Sequence, residues 1–260
     1  MRLFAVTGPQ RSGTTLLQTL LQSTITDCAL LGEVPALAYA IEGLDVQNRH
    51  PTKSLYFFNP EHDVARMGWE LVQLFGTQVK SIHPYATAAV FKEPRLLNVL
   101  DLVNGIFGSG NVVVIIRDPL DIAASFIQIG EREIADGVRN SKYARRDLAF
   151  ICKKIEHSLL NVIQCASKAF HLVRYEDLVD DWSGTVSQLC HGLRVNFDIS
   201  RTIRWLPDER LHKATWTAPL VGGAVAASSV GSHLQVFSNL ELEFCRNELG
   251  ELRLDLGYAN

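Results

Sequence analysis

Residues 4–17 constrain the fold of this chain more than any other part of its sequence. They read FAVTGPQRSGTTLL, in which an apolar, strand-like run leads through a G-x-x-x-x-G loop into a helical pattern. Gly8 and Gly13 permit the backbone to approach a ligand closely. Such a loop turns its N–H groups toward an anion at the helix N-terminus, where unpaired donors and the helix dipole favour negative charge. The sequence therefore predicts a phosphate-binding loop over residues 8–15.

The same change from strand-like run to helical pattern recurs along the chain. Predicted strand and helix pairs are 3–7 with 14–23, 88–91 with 95–104, and 112–116 with 120–128; a helical pattern at 143–167, a strand at 171–174 and a helix at 183–191 follow. This alternation is typical of an α/β fold, a parallel β-sheet flanked by helices, as in P-loop NTPases. Residues 112–116 are apolar throughout, which predicts a central strand covered on both faces.

Composition narrows the class of protein. A chain of 260 residues with 47% apolar and 20% charged residues is expected to form a single globular domain over residues 1–260. The formal net charge of -3 provides no general attraction to nucleic acid or to an anionic membrane, so neither is expected as a partner. Any anion must then be bound locally.

The five cysteines indicate neither a disulfide framework nor a zinc site. They are Cys28, Cys152, Cys165, Cys190 and Cys245, and no two of them form a C-x-x-C pair. We expect at least Cys152, Cys165 and Cys190 to lie in the core as small apolar residues. No signal-peptide pattern follows Met1, and no apolar run approaches the roughly 20 residues that cross a bilayer, so a cytoplasmic location is expected.

The loop departs from the form that nucleotide hydrolases use. Thr14 stands where those enzymes have a lysine, and Thr15 stands where their magnesium-binding hydroxyl lies. A phosphoryl-transfer enzyme without that lysine would lose a main source of transition-state stabilisation. Arg11, two residues before Gly13, could instead hold a phosphate or sulfonate through two hydrogen bonds. The loop therefore disfavours a kinase.

The RSGTTLL loop resembles the 5'-phosphosulfate loop of the sulfotransferase superfamily, whose donor is 3'-phosphoadenosine-5'-phosphosulfate (PAPS). That family has a second signature, a strand ending in Arg with a Ser eight residues later, and VVVIIRDPLDIAASF supplies Arg117 and Ser125. The resemblance implies that Arg117 and Ser125 hold the 3'-phosphate. It also implies that the donor and its product, 3'-phosphoadenosine-5'-phosphate (PAP), contact the loop through Gly8, Arg11, Ser12, Gly13, Thr14 and Thr15.

The position of Arg117 agrees with that role, since ligands of open α/β sheets bind beyond the carboxyl ends of the strands. The alternative is that Arg117 only forms an ion pair with Asp118 or Asp121 at the start of the following helix. For Ser125 the alternative is an ordinary helix residue.

Two weaker motifs complete the resemblance. HLVRYED, at 171–177, is similar to the family's strand ending in RYEDL and implies that Tyr175 lies near the nucleotide. SSVG, at 228–231, is similar to the loop that folds over the adenosine phosphates and implies contacts from Ser229 and Gly231. It belongs to a Gly-, Ala- and Ser-rich stretch at 220–233, expected to be a mobile loop before a last helix capped by Ser238.

Sulfonate transfer requires a base for the acceptor's proton and cations at the leaving phosphate. Arg11 is one cation, and Lys92 resembles a lysine that many sulfotransferases place at the end of a strand, so both are predicted to be catalytic. Glu33 resembles the Gly-Glu of tyrosylprotein-type sulfotransferases and is the predicted base. Glu93 and His83 are the alternatives, although adjacent strand residues such as Lys92 and Glu93 point to opposite faces. No metal is required.

These features predict transfer of a sulfonate group from PAPS to a hydroxyl or amine of a small-molecule acceptor. A P-loop kinase or NTPase using ATP and magnesium, and a non-catalytic nucleotide-binding module, are the alternatives. Residues 34–58 and 127–146 are expected to select the acceptor. Residues 45–59, which overlap the first segment, are expected to form a loop, and the charged stretch 130–146 is expected to form a solvated surface. The sequence leaves the acceptor and the oligomeric state open.

Overall fold

A five-stranded parallel β-sheet organises the chain. The computed structural model describes residues 1–49, 60–108, 110–138, 141–165, 170–201, 225 and 227–258. The strands are β1 (Arg2–Thr7), β2 (Cys28–Glu33), β3 (Ala88–Lys92), β4 (Val112–Ile116) and β5 (His171–Arg174), in the order β2-β3-β1-β4-β5. All four pairings are parallel. The predicted α/β fold with a parallel sheet flanked by helices is confirmed.

Helices cover both faces of this sheet. In the described residues they are α1 (Thr14–Thr24), α2 (Pro35–Asn48), α3 (Pro60–Ile82), α4 (Leu100–Phe107), α5 (Pro119–Ala135), α6 (Leu148–Gln164), α7 (Tyr175–Asp180), α8 (Trp182–Leu193), α9 (His233–Val236) and α10 (Asn239–Asp255). A 3₁₀ segment, Pro94–Val99, precedes α4. Within the described residues, no helix is both long enough and apolar enough to cross a membrane.

The alternation of side chains along each strand divides the core into two layers. On β1, Phe4 and Val6 pack with α1, α7 and α8, whereas Leu3 and Ala5 pack with residues of α2 to α6 and α10. Every residue of β4 is buried, because helices cover both of its faces. β4 lies between β1 and β5, so it is an interior strand as predicted, although the middle strand of the five is β1.

Several predicted elements agree with the structure in their bounds. The strands at 112–116 and 171–174 agree at both ends. The last helix begins directly after Ser238, whose hydroxyl accepts from the Glu241 N–H while the Glu241 carboxylate accepts from the Ser238 N–H. This reciprocal capping box is why the helix starts there. The described cysteines Cys152, Cys165, Cys190 and Cys245 are buried, and Cys28 is partly buried.

Other predictions are wrong or incomplete. Residues 45–48 lie in α2, not in a loop, while residues 50–59 lie outside the described residues. The predicted helix at 95–104 is a 3₁₀ segment followed by α4, and the predicted helix at 143–167 begins only at Leu148, where Asp147 caps it. The charged stretch 130–146 begins as the last turns of α5, for which no helix was predicted, but residues 131–138 are exposed or half-buried, in keeping with the predicted solvated surface. No element was predicted for β2, for the start of α2 or for α3.

The strand order places a binding crevice at one edge of the sheet. The chain passes from β1 to β2 and β3 on one side, whereas β4 and β5 lie on the other side of β1. The carboxyl ends of β1 and β4 therefore flank the point where the strand order reverses, the usual ligand position in open α/β sheets. The loop after β1 and Arg117 after β4 lie together at this edge.

Candidate active site

The loop after β1 is a tight turn that leaves the start of α1 open. The Pro9 carbonyl accepts from the Ser12 N–H at 3.1 Å and from the Ser12 hydroxyl at 2.8 Å. The hydroxyl of Ser12, a predicted ligand residue, is therefore already engaged inside the loop. No side chain caps α1, and its first helical hydrogen bond runs from Leu17 N to Gly13 O at 3.0 Å. The amides of residues 14–16 consequently face outward without helical partners, which suits an anion.

Both loop glycines lie where a side chain would not fit. A Cβ on Gly8 would come within 2.3 Å of the Ile115 carbonyl oxygen on β4. A Cβ on Gly13, whose φ is +99°, would come within 2.4 Å of a ring carbon of Tyr175. The glycines thus allow the loop to lie directly against β4 and against the aromatic ring at the start of α7.

The two main sequence motifs meet in space. The Arg11 Nε donates to the Ser125 hydroxyl at 3.0 Å, and Arg117 Nη1 donates to the Arg11 carbonyl at 3.4 Å. Burial lowers the pKa of Arg11 to about 10, and the positive charges of Arg132 and Arg117 contribute to this shift. Since cations repel one another here, an anion bound between them would be stabilised.

Arg117 is held at the centre of the site. Its guanidinium lies 4.6 Å from the centroid of the Tyr175 ring, and Nη2 donates to the Ser229 carbonyl. The same nitrogen is 3.8 Å from Asp121, whereas Asp118 pairs with Arg253 at 3.0 Å. Of the two ion pairs considered for Arg117, only the long one to Asp121 forms. Arg117 Nε is buried and has no hydrogen-bond partner in the described residues, so the group retains a donor.

The structure also brings the weaker motifs to this site. The Tyr175 hydroxyl and the Ser229 hydroxyl are 2.7 Å apart. Gly231, with φ +72°, donates its N–H to Asp121 at 2.8 Å. Residues 220–224 and 226 of the predicted mobile loop lie outside the described residues. Further along it, Ser229 is bonded to Arg117 and Tyr175, and Gly231, Ser232 and His233 are bonded to Asp121.

The predicted catalytic pair lies at the ends of two neighbouring strands. Lys92 ends β3 and Glu33 ends β2, and their Nζ and Oε1 atoms are 2.6 Å apart. The Lys92 side chain is 12% exposed and that of Glu33 is 55% exposed, so the lysine of the pair is largely buried and the glutamate is open to solvent. A cation and a carboxylate are thereby placed at the same edge of the sheet as the loop after β1.

The alternative bases occupy different positions. Glu93 points to the opposite face, where it caps the 3₁₀ segment by accepting from the Arg95 N–H at 3.2 Å. Burial raises the pKa of Glu93, and the nearby Glu33 carboxylate adds to the rise. His83 precedes the amino end of β3 and is therefore about 13 Å or more from Lys92, at the other edge of the sheet.

Asp121 and His233 are the site residues that sequence reasoning missed as functional. Asp121 was considered only as an ion-pair partner for Arg117. Its position four residues after Arg117, in the first turn of a helix, was the one feature of the sequence that pointed to it. His233 follows the SSVG motif but carries no signal of its own. Within the described parts of the chain, no three His, Cys, Asp or Glu side chains are grouped so as to hold a metal ion.

Comparisons with known proteins are in keeping with this arrangement. The model of a family described as the sulfotransferase family matches residues 4–198. A sulfotransferase domain from the curacin biosynthetic pathway is similar in structure, with 17% identity, TM-score 0.61, and 99% of this chain and 98% of that one covered.

Two further solved structures share the fold. Mouse sulfotransferase SULT7A1 complexed with PAP has 11% identity and TM-score 0.52, with 97% of this chain and 85% of that one covered. STF9 from Mycobacterium avium has 11% identity and TM-score 0.52, with 99% and 77% covered. No curated protein matches the chain in sequence.

Proposed function

The chain belongs to the sulfotransferase family, and on that premise we propose that it moves a sulfonate group from PAPS to a hydroxyl or amine of a small-molecule acceptor. The observation that carries the proposal is the contact between the loop after β1 and the Arg117 and Ser125 pair. These groups are more than 100 residues apart in sequence, yet they form one cationic surface.

This surface suits a nucleotide with two separate phosphate positions. The open N-terminus of α1 and Arg11 would receive the 5'-phosphosulfate. Arg117, with its unpaired Nε, and Ser125 would receive the 3'-phosphate. Tyr175 and Ser229, which are hydrogen-bonded to each other, both contact Arg117 and would lie beside the 3'-phosphate. ATP lacks a 3'-phosphate, so Arg117 and Ser125 are the groups through which the protein would distinguish PAPS from ATP.

Lys92 and Glu33 would carry out the transfer. Glu33 removes the proton from the acceptor hydroxyl or amine as a bond forms between that atom and sulfur. The bond between sulfur and the bridging oxygen breaks, and its electron pair passes to the 5'-phosphate of PAP. Lys92 and Arg11 stabilise the charge that develops on this oxygen. The 2.6 Å contact between Lys92 and Glu33 orients both groups before the acceptor arrives.

The exposure of Glu33 is consistent with an acceptor that enters from solvent. Glu33 ends the edge strand β2, and α2 begins two residues later. The described residues of 34–58 and 127–146 include α2 and the end of α5, and we propose that these two segments select the acceptor.

Calorimetric titration with PAP, ADP and ATP, with and without magnesium, tests the donor. We expect PAP to bind at micromolar concentration or tighter without metal, and Arg117→Ala to lose most of that affinity. Arg66→Ala is the matched control, because Arg66 is exposed on α3 and pairs only with Asp63 and Glu70 among the described residues. Preference for ATP with magnesium would contradict the proposal and favour a kinase.

Turnover distinguishes an enzyme from a nucleotide-binding module. Purified protein would be incubated with PAPS carrying labelled sulfur and a panel of alcohols, phenols and amines, and the labelled products separated. Transfer to any of them that Glu33→Gln abolishes, while PAP affinity stays unchanged, supports the assigned base. PAP binding without transfer to any acceptor would instead favour the non-catalytic module.

A further inference from the structure

Asp121 connects the start of α5, which follows Arg117 and carries Ser125, to residues 231–233 at the end of the SSVG motif and just after it. It lies in the first turn of α5 and is 1% exposed. Oδ2 accepts from the Gly231 N–H at 2.8 Å. Oδ1 accepts from the His233 N–H at 3.1 Å and lies 2.7 Å from His233 Nδ1. The Ser232 hydroxyl lies 3.3 Å from the same oxygen.

These contacts account for a carboxylate that stays charged while buried. Burial alone would raise the pKa of Asp121, but the hydrogen bond from His233, the charge of Arg117 and the two backbone N–H groups outweigh it and lower the pKa. Hydrogen bonds to an ionised acceptor are stronger than those between neutral groups. The segment 229–233 is therefore fixed to α5 through one side chain.

The same segment contacts the proposed 3'-phosphate site directly. The Ser229 carbonyl accepts from Arg117, and the Ser229 hydroxyl bonds to Tyr175. Two walls of that site, one from α5 and one from residues 229–231, thus share Asp121 as their connection. If this connection were lost, Arg117 would remain in place between β4 and α5, but the opposite wall would be free to move away.

We propose that Asp121, together with His233, is a positioning residue that holds residues 229–233 against Arg117 and so builds the 3'-phosphate subsite. This inference rests on the proposed donor. Asp121 does not touch the donor; it acts through Arg117 and the backbone of the segment. Its effect should accordingly appear in the recognition of the 3'-phosphate and not in the recognition of the rest of the nucleotide.

Asp121→Asn tests this with two nucleotides that differ only at the 3' position. The asparagine side chain keeps the size of Asp121 but turns an NH₂ group toward hydrogen-bond donors. We expect its affinity for PAP to fall at least tenfold, while its affinity for adenosine 5'-phosphate changes less than threefold. His233→Ala should cause a smaller change in the same direction, because the backbone contacts of Asp121 remain. Asp181→Asn, at the N-terminus of α8, is the matched control.

The outcomes separate this inference from the donor assignment. If the wild type binds PAP no more tightly than adenosine 5'-phosphate, the proposed donor fails and the inference fails with it. If the wild type discriminates but Asp121→Asn keeps the same ratio of affinities, only the positioning role is overturned. If Asp121→Asn lowers the melting temperature and both affinities together, the role of Asp121 is merely structural, and the positioning role is again overturned.

Hydrogen exchange provides a measurement that does not depend on activity. The amides of Gly231 and His233 donate to Asp121, so they should exchange faster in His233→Ala, and faster still in Asp121→Asn, than in the wild type. Should Asp121→Asn fail to fold, His233→Ala carries both measurements. Unchanged exchange at these amides in a folded variant would refute the connection.

Discussion

The contact between Gly13 and Tyr175 makes Gly13→Ala the most informative single change in the loop after β1. Gly13 ends the loop, and its position allows the Tyr175 ring to pack directly on the backbone. The same ring lies under Arg117, and its hydroxyl bonds to Ser229. The substitution should therefore lower both the free energy of unfolding and the affinity for PAP.

The magnitude follows from two separate costs. A side chain at φ +99° lies in the left-handed region, which costs roughly 1–2 kcal/mol. The added Cβ would lie 2.4 Å and 2.9 Å from two ring carbons of Tyr175, and relieving such overpacking costs about 1–3 kcal/mol. We therefore expect Gly13→Ala to reduce the free energy of unfolding by about 2–5 kcal/mol, a large share of the total stability of a typical protein.

Urea unfolding of a double-mutant cycle separates these costs. In a Tyr175→Ala background the clash is absent, so Gly13→Ala should cost only the backbone term, and the two changes should be coupled by about 1 kcal/mol or more. Gly250→Ala is the control, since no heavy atom lies within 4 Å of its added Cβ in α10 and about 0.5–1 kcal/mol of stabilisation is expected. A loss below about 1 kcal/mol for Gly13→Ala, or the same loss in both backgrounds, would refute the reasoning.

Two further predictions concern the catalytic pair and the last helix. Lys92→Ala should lower kcat by about a hundredfold to a thousandfold, because it removes one preorganised donor. Titrations should show that the affinity for PAP changes only a few-fold. A loss of PAP affinity as large as the loss of kcat would show that Lys92 binds the nucleotide and does not act in the transfer step. The hydrogen bond from Arg146 lowers the pKa of Glu241 to about 2. Since the folded pKa lies below the unfolded one, this stabilisation is complete above pH 4.5 and declines toward pH 2. Glu241→Gln should therefore destabilise the protein at pH 7, by an amount that shrinks in urea titrations below pH 4.5; a pH-independent difference would contradict this.

An element could be predicted where its signal is local in the sequence. The strand at 112–116 was predicted because a run of five buried apolar residues indicates its own boundaries. β2 was missed because it is an edge strand, contains Gly32, and pairs irregularly with β3 near Glu33. For α3 a signal existed: Val64, Leu71 and Phe75 recur at helical spacing on the side that packs inward.

The contacts of the site also differ in whether they join residues that are near or distant in the sequence. Arg117 and Asp121 are four residues apart at a helix start, so their ion pair could be considered from the sequence. The contact of Asp121 with His233 spans 112 residues, and a single sequence carries no information about pairing over that distance. The 2.6 Å contact of Lys92 with Glu33 was likewise inaccessible, because it depends on β2, which was not predicted.

The crowding of positive charge at Arg11 implies that its charged side chain lowers the stability of the free protein, a cost that the proposed donor would offset. Arg11 is held at φ +75°, and its pKa is lowered to about 10 by burial and by Arg132 and Arg117. Arg11→Gln should therefore leave the stability of the free protein unchanged or raise it. If PAP is the ligand, PAP at one hundred times the wild-type Kd should stabilise the wild type by about 2.7 kcal/mol, and tenfold weaker binding should reduce this to about 1.4 kcal/mol.

Thermal melts of Arg11→Gln with and without PAP measure the stability of the free protein and the stabilisation that PAP adds. Arg66→Gln is the exposed control. A variant that is less stable than the wild type without PAP, yet equally stabilised by PAP, would show that Arg11 supports the loop and not the anion. The opposite pattern, higher intrinsic stability with a smaller gain from PAP, is the trade-off expected where a site is assembled for its ligand before the ligand arrives.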